Sequence, residues 1–310
     1  MDASTRTGER SGADARKPVV VGVDGSPAAL RAVRWAVTEV IARPAPLRLV
    51  LVLPDIDKPA FRPGGGKHRA ALGTLAAARR AALSHWSQAG VTEPLDLTDE
   101  VVWGQADRVL TTLSRDAAWV ALGCADIGFF SHMVLGSTAL AVSRDAYCPV
   151  ALVRRAEIES GPVLVVVNAW YTAKPALLAG FRAARARGDA VVVARIWQGR
   201  TWTGAFHYGG RVPVVPDAQI AHTLRDFPTV TVRPVTVVGD AVETIAYMSA
   251  GASLIVIGHD VNRDHPERMA PVTRELIRHA PCPVLLMPDS PDAADRSARS
   301  ARSSSLPLTR

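Results

Sequence analysis

Short, unbroken apolar runs separated by longer amphipathic stretches set the rhythm of this chain. Pro18 to Val23 reads PVVVGV, Leu47 to Leu53 reads LRLVLVL, and Trp119 to Leu122 and Val150 to Val153 are similarly apolar. Runs that are continuous rather than alternating mark strands buried on both faces of a sheet. Between them, apolar residues recur at spacings of three and four. Leu30, Val33, Val37, Val40 and Ile41 fall on one face after Ser26, a good N-cap, and Pro27, which suits the first helical position. Further helices are expected from about Arg69 to Ala89 and over ADRVLTTLSRDA, and a strand around Val101 and Val102 ends before Gly104. Strict β-α alternation of this kind predicts a parallel sheet with helices on both faces.

The pattern then repeats. PVLVVVNAW from Pro162 echoes PVVVGVDGS, and the helix LLAGFRAARARG leads to a strand from Ala190 to Ile196. VVWGQADRVLTTLSRDAAWVALGCAD lies over VTVVGDAVETIAYMSAGASLIVIGHD without a gap, pairing Gly104 with Gly239 and Gly123 with Gly258, and AYCPVALV matches APCPVLLM. This is an internal duplication. The expected fold is therefore α/β, with two tandem doubly wound, mostly parallel five-stranded sheets. The expected division is a tail over 1–17, one domain over 18–156, a second over 157–289 and a tail over 290–310, both tails polar and disordered. Gln198 to Asp217 has no counterpart in the first half.

Candidate chemistry concentrates where apolar strands end. Gly123 breaks the strand that closes with Leu122, and Gly136-Ser137-Thr138 opens a helix. The first N–H groups of a helix lack intrahelical partners and carry the positive end of its dipole, so such a loop can hold an anion. Asp24, Gly25 and Ser26 follow the first strand and Val52 lies near the end of the second, so all these residues can meet in one cleft beyond the carboxyl ends of the strands. The same arrangement also serves any α/β unit that binds nothing. Gly64-Gly65-Gly66-Lys67 lacks the spacing of a phosphate-binding loop and reads as a mobile loop.

Composition narrows the function classes. A chain of 310 residues with 48% hydrophobic content can bury substantial cores. The net charge of +7 is spread, part of it in the tails, with no basic stripe interleaved with aromatics, so nucleic acid is not the expected partner. No apolar run reaches the roughly 18 residues of a membrane helix and the N-terminus has no apolar signal core, so no membrane partner and a cytoplasmic location are expected. The odd count of 3 cysteines argues against a disulfide framework. Cys148 and Cys282 precede Pro-Val in apolar runs and read as buried, whereas Cys124 falls in the loop and is a candidate reactive thiol.

GVDGS after the first strand, the second apolar strand, V-V-x-G before the third helix, the Gly123 to Gly136-Ser137 loop and CPV before the last strand together resemble the universal stress protein family, in both halves. The resemblance implies a non-catalytic stress-response protein, with ATP as the cofactor of members that bind one. It places the acid at Asp24, the adenine wall at Val52 and the phosphate loop between Gly123 and Gly136-Ser137. Where the family loop has its middle glycine this chain has Asp126, with Gly128 two places on, so a carboxylate would face the polyphosphate. In the second half Asn168 replaces the acid and Ala270-Pro271 the closing glycine and serine. Proline removes an N–H donor, so this half is expected to bind no nucleotide. The family's last strands commonly pair across domains or subunits, so Val150–Val153 and Val284–Met287 are expected to pair within the chain, with homodimerisation open.

Two other readings stand beside this one. A scaffold with both sites dead is favoured by Asp126. An enzyme that hydrolyses or transfers an adenylyl group would need Asp126 and His132 near the loop. His259, Asp260, Asp264 and His265 look like metal ligands, but their spacing matches no closed site and no metal is expected.

Overall fold

Each apolar run forms a strand, and each amphipathic stretch between runs packs back across the sheet. The computed structural model describes residues 17–124, 136–154, 160–167, 170–197, 220, 222, 224–238, 241–258, 261–262, 265–269 and 271–288. The first half contains β1 (Val19–Gly22), α1 (Pro27–Ala42), β2 (Leu47–Leu53), α2 (Gly66–Gln88), β3 (Leu97–Trp103), α3 (Ala106–Leu113), β4 (Trp119–Gly123), α4 (Ser137–Asp145) and β5 (Val150–Val153). Among the described residues the second half follows this order, save for a counterpart of α2 between β7 and β8, with β6 (Val163–Val167), α5 (Trp170–Arg187), β7 (Val191–Trp197), β8 (Val232–Val238), α6 (Ala241–Ser249), β9 (Leu254–Gly258), α7 (Pro271–His279) and β12 (Val284–Met287). A small antiparallel pair, β10 (Val261–Asn262) and β11 (His265–Met269), lies between β9 and α7.

The two expected sheets are continuous. They form one ten-stranded sheet in the order β3-β2-β1-β4-β5-β12-β9-β6-β7-β8. Within each half of this sheet every pairing is parallel, and the seam is the antiparallel pair β5 and β12, with Val284 opposite Leu152 and Leu286 opposite Val150. Pairing the last strands hides the edge that each half would otherwise expose. The remaining edges are blunted in different ways: β3 carries Asp99 and Glu100, and β8 carries Pro234, which has no N–H to offer another strand.

Both faces of the sheet are covered. Val19 and Val21 join one core with Val33 and Val37 of α1, Leu75 of α2 and Leu177 and Phe181 of α5. Val20 points the other way, into a core with Leu110 of α3, Val142 of α4, Ile245 of α6 and Leu276 of α7. Each core draws on both halves, so the seam lies in continuous packing. A polar link reinforces it: Glu39 of α1, only 4% exposed, accepts from Arg187 of α5 and, at 3.2 Å, from Arg43.

Several local expectations change. α2 begins at Gly66, so Gly66 and Lys67 are its first residues and not part of a mobile loop. α5 begins at Trp170, well before the expected start, and carries Pro175 inside it. Cys124 is buried at 4% exposure, with its N–H donating to the Val153 carbonyl, which removes it as an accessible thiol. Cys148 and Cys282 are buried as expected, and burial pushes each thiol up to about 12. Residues 1–16 and 290–310 of the tails, Asp126, Gly128, His132, Asn168 and the 198–217 stretch lie outside the described residues.

Candidate functional site

In the order β3-β2-β1-β4-β5 the chain leaves β1 in opposite directions, first to β2 and later to β4, so the carboxyl ends of β1 and β4 flank a crevice. The crevice is a cavity of about 550 Å³, lined by the ends of β1, β2 and β4 and by α1, α2, α3 and α4. Of the residues singled out in the sequence, Asp24, Ser26, Val52, Gly123, Gly136, Ser137 and Thr138 line it. Gly25 does not line it but makes the turn that shapes it, with φ of 86°.

The turn after β1 is held by its own side chains. The Ser26 N–H donates to Asp24 Oδ1 at 2.8 Å, and Ser26 Oγ accepts from the Ala29 N–H at 3.1 Å, capping α1. Ser26 therefore has a structural task, while the exposed Asp24 carboxylate faces the cavity mouth with acceptor capacity remaining. The Arg31 guanidinium of α1 donates to the Cys124 carbonyl at 3.2 Å, tying that helix to the end of β4.

Gly123 is demanded by contact. A Cβ there would lie 2.2 Å from the Ala28 carbonyl carbon and 2.5 Å from the Ala29 nitrogen, so strand end and helix start meet only through a glycine. Gly136 differs, since a Cβ there would meet nothing of the described residues within 4 Å. It is the N-cap of α4, and among the described residues no side chain caps that helix. The first intrahelical bond runs from the Leu140 N–H to the Gly136 carbonyl at 3.1 Å. The N–H groups of Ser137, Thr138 and Ala139 precede it and have no carbonyl of their own helix to reach. All three residues line the cavity, where these donors and the helix dipole favour an anion. Opposite them Val50, Leu51, Val52 and Leu53 supply an apolar wall.

The sequence reading missed the contribution of α2. Lys67, Ala71 and Thr74 line the same cavity from successive turns of this helix. Their spacing places them on one helical face, a signal that was available once the helix was started at Gly66. Lys67 adds a mobile positive charge to that of the α4 N-terminus.

The second half has the same frame with different fittings. β9 ends at Gly258 as β4 ends at Gly123, but α7 opens at Pro271 where α4 opens at Ser137. That first helical position has no N–H to donate. Between them lie β10 and β11, and His265 is on β11, while His259, Asp260 and Asp264 lie outside the described residues. Among the described residues no group of three or more His, Cys, Asp or Glu could hold a metal ion, and no helix is long and apolar enough to cross a membrane.

Comparison with known proteins gives a consistent picture. The model of the universal stress protein family matches the chain twice, over residues 15–154 and 160–288. The universal stress protein Rv2624c of Mycobacterium tuberculosis is 28% identical over 282 residues, covering 87% of this chain and 96% of that protein. A second from the same organism, Rv3134c, is 30% identical over 245 residues, covering 77% and 87%. Among solved structures, a universal stress protein from Archaeoglobus fulgidus superposes with a TM-score of 0.66 at 13% identity, covering 88% of this chain and 99% of that one.

Proposed function

The chain belongs to the universal stress protein family, in a tandem form, and on that premise we propose that it is a non-catalytic regulatory protein whose first half alone binds an adenine nucleotide, ATP in the first instance. The observation that carries this reading is the facing pair inside the 550 Å³ cavity: the first N–H groups of α4, which have no carbonyl of their own helix to reach, on one side and the apolar end of β2 on the other. A nucleotide presents the same two chemistries, an aromatic base and a polyphosphate, and the volume lies within the roughly 300 to 1,000 Å³ common for small-molecule sites. In this reading Val52 packs against adenine and Asp24 accepts from a ribose hydroxyl. Ser137, Thr138 and Lys67 hold the phosphates, and Gly123 and Gly136 let backbone approach.

The absence of catalysis is supported by the side chains at hand. Of the described lining residues only Asp24 and Lys67 ionise, and each lies among groups suited to binding. A lone carboxylate engaged in its own turn is poorly placed to activate water beside a phosphate at the far end of the ligand. Pro271 at the start of α7 supports a second half that serves as packing partner through β12.

Titration calorimetry of the full chain with ATP tests this reading. One saturable site is expected, lost in Gly136→Val, whose added Cβ meets no atom of the described residues within 4 Å. No heat of binding, or equal binding by both proteins, ends the nucleotide assignment.

A further inference from the structure

The face of the sheet that carries α1 and α5 has a second cavity, of about 480 Å³, where the two halves meet. Its floor is apolar: Trp119 from the start of β4, Leu285 and Met287 from β12 and Leu178 from α5. Its polar lining is of one sign. Arg43 comes from the C-cap of α1, and Lys174 and Arg182 project from α5 at the two ends of an i, i+4, i+8 row through Leu178.

Charge at this junction is not balanced. Glu39 is shared between Arg43 and Arg187, and among the described residues no acidic side chain pairs with Lys174 or Arg182. The Arg43 guanidinium lies 3.9 Å from the centroid of the Trp119 ring, stacked where an aromatic group and a cation can be shared with a guest. Burial lowers the Arg43 pKa, with Arg182 and Arg187 pushing in the same direction against Glu39. Arg43 therefore sits in a partly desolvated, electropositive pocket that an added anion would relieve.

We propose that this cavity is a second binding site, separate from the nucleotide cavity, for a small organic anion that carries one carboxylate or phosphate on an apolar or aromatic body. The body lies on Trp119, Leu178, Leu285 and Met287, and the anionic group reaches Lys174 and Arg182 at the rim. Because Arg43 and Trp119 belong to the first half and the other lining groups named to the second, the ligand bridges the halves and stabilises their union by mass action.

The test uses the full chain, with 1-naphthyl phosphate and 1-naphthoate as probes and inorganic phosphate and neutral 1-naphthalenemethanol as controls, followed by titration calorimetry. Both naphthyl anions are expected to saturate and to bind at least tenfold more tightly than either control. Lys174→Ala/Arg182→Ala removes two exposed side chains without disturbing a core and is expected to weaken both anions at least tenfold. Leu178→Trp, which fills the floor without altering charge, is expected to do the same. Lys67→Ala, in the nucleotide cavity, is expected to leave the probes within twofold. The proposal is overturned by an absence of saturation, by inorganic phosphate binding as tightly as the naphthyl anions, or by a double variant that binds as well as the parent. Loss of binding in Lys67→Ala would also overturn it, by placing the probes in the other cavity.

Discussion

Replacing Gly123 by alanine should destabilise the protein far more than the same replacement at Gly136, although both glycines line one cavity. At Gly123 the new methyl would stand 2.2 Å from the Ala28 carbonyl carbon, 2.3 Å from its oxygen and 2.5 Å from the Ala29 nitrogen. Non-bonded carbons sit comfortably at about 3.5 to 4.0 Å, so strand end and helix start must separate by more than ~1 Å. Neither can yield easily. Ala28 and Ala29 are 4% and 3% exposed, the Ser26 cap fixes the first turn of α1, and β4 is paired on both sides. Overpacking costs about 1 to 3 kcal/mol, and a collision with backbone belongs at the upper end. At roughly 2 to 4 °C per kcal/mol for a unit of this size, the midpoint should fall by about 6 to 12 °C. Gly136 has φ of −53° and no described atom within 4 Å of an added Cβ, so alanine there loses only part of a helix cap, less than about 1 kcal/mol or ~4 °C. Thermal unfolding followed by circular dichroism reads both. A Gly123→Ala midpoint within about 2 °C of the parent, or an equal fall in both variants, would refute the reasoning.

Three further outcomes are expected. The family resemblance assigns Asp126 to the phosphate loop, where a carboxylate would repel a polyphosphate by about 1 to 4 kcal/mol in a wet cleft, so for Asp126→Gly calorimetry should show ATP affinity rising by roughly fivefold to a thousandfold. Lys67→Ala should weaken ATP by about three- to tenfold at low ionic strength and by less as salt is added, because Lys67 is exposed and its charge is screened. Cys148 and Cys282 titrate near their ordinary value of 9.0 when unfolded but at about 12 when folded, so the unfolded chain loses protons first and stability falls as pH rises from about 9 toward 12. Each thiol contributes roughly 1.4 kcal/mol per pH unit in that window, and denaturant titrations of Cys148→Ala and Cys282→Ala should show a correspondingly flatter alkaline limb.

What could be read from sequence was what local chemistry decides. Val19 to Gly22, Leu49 to Leu53 and Val150 to Val153 are apolar on both sides because they lie inside a covered sheet, and Ser26-Pro27 announces α1 by capping it. The duplication carried this reading into the second half. Where the reading slipped, a distant partner had decided. Gly65 is needed because a Cβ would strike the Pro59 carbonyl oxygen at 2.3 Å, and the helix starting just after it brings Lys67 to the cavity. Three glycines in a row conceal such a start. Cys124 looks exposed after Gly123, yet its hydrogen bond to Val153 and the packing beneath bury it. The seam was anticipated only through the family resemblance, because the antiparallel register of β5 on β12 joins residues more than a hundred positions apart and leaves no local periodicity. The basic junction cavity had no signature at all, since Arg43, Lys174 and Arg182 converge only once α1 and α5 lie on one face.

A crystal structure of the full chain grown in saturating ATP tests the central claim most directly. The account predicts one nucleotide per chain, its phosphates on the N–H groups of Ser137, Thr138 and Ala139 and its purine against Val52, with nothing bound beside Pro271. A first-half cavity without nucleotide, or nucleotide in both halves, would contradict it.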